Sequence, residues 1–200
     1  MTVTARIDSR RRAARLVTEA SAPAVSLAIL LPLVGWHSAG ATVNGLLLGL
    51  AGTVFAAVVP MTYIVANVRR GRLTDHHVGV REQRRTPLLV GLASVLVGSV
   101  VLMLLGAGRE MVALMMAGTS GLVVSIVVSH WWKMSLHTAV AAGSVIILAL
   151  VFGPWLLLAT LLLVPIGWSR VVLADHTVPQ VIGGALIGGT VAAIVFSAIA

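Results

Sequence analysis

The residues able to do chemistry in this chain fall into three segments. Segment 72–85 holds Asp75, His76, His77, Arg81, Arg84 and Arg85; segment 133–137 holds Lys133, Ser135 and His137; segment 169–180 holds Ser169, Arg170, Asp175, His176 and Gln180. Guanidinium groups bind phosphate oxygens through paired hydrogen bonds, and histidine near neutral pH serves as nucleophile or proton donor. Histidines and arginines brought together at one place therefore suit an anionic substrate, with His176 and His137 the candidates for covalent and proton-transfer work.

The elements that must position these groups are membrane helices. Of 200 residues, 58% are apolar and 10% charged, against roughly half and about a quarter in a soluble domain. Mean hydropathy is +1.04. Residues 1–21 carry five arginines and read as a basic cytoplasmic tail. Seven apolar runs follow, at about 22–39, 42–66, 87–107, 110–129, 136–152, 154–170 and 178–200, broken by Gly and Pro at Gly40, Gly106 to Gly108 and Gly153-Pro154. Each is long enough to cross a bilayer. Lipid leaves no partner for unpaired backbone groups, so all are expected to be helical. The chain reads as an all-α polytopic bundle of six to seven spans, with 22–200 a single transmembrane domain. Gly45/Gly49 and Gly184/Gly188 put small residues four apart, where helices approach closely. A soluble one-core enzyme, a nucleic-acid binder and a disulfide scaffold are excluded, and cysteine is absent.

Charge sets the orientation. With the N-terminus in the cytoplasm, thirteen of the fourteen Lys and Arg fall on that side and only Arg109 on the other, a strong positive-inside bias. The three polar segments share the cytoplasmic face. The first span has a second reading, as a signal peptide with a small-residue cleavage site at His37 to Ala41, whose removal leaves the other spans unchanged.

Ser169-Arg170, five residues, then His176 resembles the third motif of the type 2 phosphatidic acid phosphatase superfamily, which reads Ser-Arg, five residues, His, three residues, Asp. Lys133 to His137 is similar to the second motif, keeping its Ser and His, and 75–85 to the first, with His77 at the Lys position and Arg84 at the Arg position. The order of segments matches the family. The resemblance implies that His176 attacks phosphorus and forms a phosphohistidine, while His137 protonates the leaving oxygen and then activates water. It implies that Arg84 and Arg170 hold the phosphoryl oxygens, with Ser135, His77 and Arg81 adding contacts. No metal or other cofactor is required. The family's Asp, which orients the nucleophile, is Gln180 here. An amide oxygen accepts the same hydrogen bond without bringing charge, and Asp75 or Asp175 is the acid that would replace it.

The expectation is a lipid phosphatase acting on a polyprenyl phosphate, a prenyl diphosphate or phosphatidic acid, with a membrane lipid phosphate as partner, no nucleic acid, and the oligomeric state open. A non-catalytic binder of anionic lipid is the alternative. A transporter is disfavoured by span centres without ionisable residues and by the lack of a repeat. Blander readings stand beside these: loop 67–86 as an anchor for anionic headgroups, His76 and His77 with Asp75 as a metal set, His137 as an interhelical hydrogen bonder, Arg170 and His176 as snorkelling residues. His37, and His130 beside Trp131-Trp132, read as interfacial.

Overall fold

The computed structural model describes residues 3–200, with side chains from Asp8 on. Met1, Thr2 and the side chain of Arg6, part of the expected tail, lie outside the described residues. Nine α-helices follow in order: α1 (Val3–Ala20), α2 (Pro23–Ser38), α3 (Val43–Thr53), α4 (Val59–Arg69), α5 (Arg85–Leu104), α6 (Arg109–Trp131), α7 (Leu136–Phe152), α8 (Leu163–Val172) and α9 (Val178–Ile199). No strand occurs among the described residues.

Among the described residues six stretches are long and apolar enough to cross a membrane, and α7 is a shorter apolar helix of 17 residues. The chain is an integral membrane protein of the polytopic helical class. Leu104, Leu158 and Leu186 are 82%, 71% and 65% exposed, an arrangement that suits lipid and not water. The inner core is Leu31, Val34, Leu102, Met111 and Met115, which joins α2, α5 and α6.

Backbone irregularities interrupt the α-helical ladder in two of the spans. Pro60 cannot donate to the preceding turn, and Val54–Val58 opens into a π turn between α3 and α4. The carbonyl of Phe55 accepts from the Ser94 hydroxyl of α5 at 2.6 Å. After Gly153, at φ 117°, Pro154–Leu162 is a nine-residue 3₁₀ helix. With a rise of about 2 Å per residue it covers more depth than an α-helix would, which lets Pro154–Val172 cross in 19 residues.

The small-residue pairs lie where backbones meet. Gly45 and Gly49 face Gly35 and Leu31 of α2, and Gly184 and Gly188 face Ser135 and Ala139 at the start of α7. The second contact brings the first turns of α7 and α9 together. Residues 3–20, expected as a basic tail, form a helix docked on α8, with Ala14 and Thr18 buried. Arg10, Arg11, Arg12 and Arg15 point outward while this small-residue face packs.

The two ends of the bundle differ. One gathers the three polar segments. At the other, Glu110 meets His37 at 2.8 Å and Arg109 donates to the Ile199 carbonyl at 2.8 and 3.1 Å. His37, expected only to sit at the interface, thus has a carboxylate partner.

Candidate active site

The segments converge on one cavity of about 260 Å³. Its polar end is lined by His76, His77, Arg84, His137, Arg170 and His176. Its apolar depth runs between α2, α5, α6 and α7, past Leu30, Leu31, Val95, Leu114, Met115 and Ile147. No carboxylate lines it among the described residues.

His176 precedes α9. Gln180, in the third position of that helix, forms a capping box with Thr177. Oε1 of Gln180 accepts from the Thr177 backbone N–H at 3.1 Å and lies 3.2 Å from Nδ1 of His176. An atom that accepts from a backbone N–H is an oxygen, so the amide orientation follows, and Nδ1 of His176 must be the donor. Its Nε2 then carries the lone pair, and Nη2 of Arg84 donates to it at 3.4 Å. Burial first, then the charges of Arg84, Arg170 and Lys133, push His176 down to about 3. The imidazole is neutral at neutral pH, the form a nucleophile needs.

Arg84 is 3% exposed. It donates from Nε to the Val78 carbonyl at 3.1 Å and from Nη1 to the Met134 carbonyl at 2.9 Å. One guanidinium thus pins the first segment to the second and reaches the third. Arg170 is 1% exposed; its Nη2 meets Oδ2 of Asp175 at 3.1 Å, while Nε and Nη1 have no partner. His137 is buried beside the Thr18 backbone, and its Nε2 also has no partner. Unpaired buried polar atoms cost free energy, so these atoms mark where a polar ligand would be stabilised. A phosphate-sized anion at the polar end of the cavity would accept from these Arg170 N–H groups, beside His176 on the same wall.

The other expected residues are distributed as follows. Ser135 is fully buried, and its amide donates to the Gln180 carbonyl at 3.1 Å. Its hydroxyl accepts from the Thr138 N–H at 3.5 Å. It ties α7 to α9 and does not line the cavity, and its amide is already paired. Arg81 points outward, 3.3 Å from Glu82 and 3.4 Å from the His130 carbonyl. Asp175 orients Arg170 and not His176. Asp75 orients its own loop, accepting from the N–H groups of His77 at 2.8 Å and Gly79 at 3.0 Å. Burial opposes its charge, but these bonds win and hold Asp75 below the usual carboxylate range. Of the three orienting candidates, Gln180 alone reaches His176.

His77 lies on the cavity wall, its ring 5.0 Å from that of His137. Burial lowers its pKa against an opposing bond to Glu19. His76 and His77 both contact Glu19, so the third member of that set is Glu19 and not Asp75, whose oxygens are taken by the turn. Lys133 donates to the Asp175 carbonyl at 2.6 Å, and burial, followed by Arg84, lowers its pKa. Two contributors escaped the sequence reading, Thr18 and Glu19 of α1. Thr18 donates to the Ser169 hydroxyl at 3.0 Å. Their one signal was Ala14 and Thr18, small residues spaced for one helix face.

Comparison with protein-family models, with curated proteins and with solved structures gives no match.

Proposed function

We propose that this chain is a membrane-embedded phosphatase that hydrolyses a phosphomonoester or diphosphate on a lipid. The observation carrying the reading is one cavity with two chemistries. His176, with Arg84 and the unpaired Nε and Nη1 of Arg170, lines its polar end, and an apolar shaft continues into the bundle. A phosphate head and a hydrocarbon tail satisfy both.

In the first step Nε2 of His176 bonds to phosphorus as the P–O bond to the lipid breaks. His137, protonated only once the anionic substrate is beside it, gives its proton to the leaving oxygen. Water then attacks phosphorus, passing a proton to His137, and the P–N bond breaks to release inorganic phosphate. Arg84 and Arg170 offset the charge on the equatorial oxygens, and positioning with such stabilisation is most of what phosphoryl transfer needs. The resemblance to the type 2 phosphatidic acid phosphatase superfamily supports the same roles. The arginine distribution supports a cytoplasmic active-site face in the cell membrane.

Gln180 favours a second reading, a non-catalytic binder of anionic lipid, because an amide gives the imidazolium no countercharge. Phosphate release by purified protein in detergent separates the two. A polyprenyl diphosphate, a polyprenyl monophosphate and phosphatidic acid are each offered to wild type and to His176→Ala. Turnover lost in the variant supports the phosphatase. Lipid-phosphate binding without turnover on any substrate leaves the binder.

A further inference from the structure

The set formed by Glu19, His76 and His77 is not used by this mechanism. Oε1 of Glu19 lies 3.1 Å from Nε2 of His76 and 3.0 Å from Nε2 of His77. The three ligand atoms all fall within 4.8 Å of one another. With metal–ligand bonds of about 2.0–2.2 Å, the donors of a tetrahedral ion stand roughly 3.3 Å apart. The two Glu19 edges are already close to that.

We propose that Glu19, His76 and His77 bind a divalent ion of the zinc class, tying α1 to loop 73–80 at the rim of the cavity. Two imidazole nitrogens and one carboxylate oxygen form a donor set that suits zinc. The loop is built to present adjacent rings on one side. Asp75 accepts from the N–H groups of His77 and Gly79, and Val78 adopts φ 49°, a conformation a β-branched residue takes only where its surroundings impose it. The ring centroids of His76 and His77 are 4.0 Å apart with the planes tilted by 43°, and both Nε2 atoms approach Oε1 of Glu19. Both residues line the cavity. The fourth coordination position is left for water or for an oxygen of a bound anion. The ion would fix the His77 ring against His137 and strengthen the contact that Glu19 already makes between α1 and the loop.

The proposal stands apart from the phosphatase reading, because metal uptake is measured without substrate. Full-length protein, with any affinity tag removed, is stripped with chelator in detergent and titrated with Zn²⁺ by calorimetry. One ion per chain at micromolar affinity or tighter is expected. In Glu19→Gln, and in the double variant His76→Ala with His77→Ala, affinity should fall at least about tenfold, the lower end of what loss even of a supporting group costs. No stoichiometric uptake, or uptake unchanged in both variants, overturns the site. Should a variant misfold, Co²⁺ added to wild type decides: tetrahedral visible absorption supports the site, and its absence with cobalt bound sinks it.

Discussion

Oε1 of Gln180 accepts two hydrogen bonds at once, from the Thr177 N–H at 3.1 Å and from Nδ1 of His176 at 3.2 Å. The first bond caps α9 and fixes the amide orientation. The second fixes the tautomer of His176. An uncharged amide thereby holds the ring as a carboxylate at this position would.

Gln180→Glu tests what that missing charge costs. Glutamate at this helix position also completes a capping box, so the fold should be unchanged. The carboxylate should stabilise the imidazolium and raise turnover about tenfold or more, within the ~10⁴ range that separates carboxylate from amide in a serine-protease triad. Phosphate release under single-turnover conditions measures it. Equal or lower rates would show that Gln180 acts only through the tautomer.

Arg170 should not tolerate lysine. Its Nη2 is held by Asp175 at 3.1 Å while Nε and Nη1 stay unpaired in the interior. Lysine keeps the charge and loses the planar fork. The expected fall in kcat is on the order of 10², the cost of removing one stabilising donor elsewhere. A thermal midpoint within a few degrees of wild type would separate lost chemistry from lost fold. Wild-type kcat in Arg170→Lys would remove Arg170 from the transition state.

What was legible in the sequence follows from its physics. Span length and the absence of mid-span charge dictate a bundle, and Gly184 and Gly188 at helical spacing announced a close helix contact, which the structure places between α7 and α9. Arg84, Arg170, His137 and His176 were legible as a group because each is a costly residue to bury, and all four line the cavity. Glu19 was not legible. It follows a run of arginines whose composition reads as a solvated tail, and only the docking of Thr18 on Ser169 reveals that α1 forms part of the site. The tasks of Asp75 and Asp175 were equally hidden. Sequence proximity to His176 does not tell which donor a carboxylate will face, and both turned out to serve nearer groups.

Acid should destabilise the protein through His176. Burial, then Arg84, Arg170 and Lys133, lower its pKa from 6.5 to about 3 in the folded chain. Between those values the unfolded chain takes a proton that the native one refuses, so stability is full above 6.5 and declines as pH falls toward 3. His176→Gln removes that proton uptake. Between about pH 7 and about pH 4 the thermal midpoint should fall less in the variant than in wild type, a difference of a few kcal/mol at most. Parallel losses would place the acid sensitivity in other groups.

Gly188 and its neighbour Gly189 offer a matched pair on α9. A Cβ at Gly188 would run into the Ala139 carbonyl of α7, a backbone atom with nowhere to move. At Gly189 it would sit 3.8 Å from Ala142 Cβ and Ile146 Cγ1, in ordinary contact. Gly188→Ala should therefore force the helices apart at a cost of about 1–3 kcal/mol. Gly189→Ala should be neutral or gain up to ~1 kcal/mol, since alanine is the better helix former. Thermal unfolding in detergent compares them. The close contact also sets the distance from Ser135 to the first turn of α9, where Gln180 orients His176. Gly188→Ala should accordingly lower phosphate release at temperatures where it is still folded, while Gly189→Ala leaves it unchanged. Equal effects of the two substitutions on stability would mean that α7 and α9 do not meet in this register.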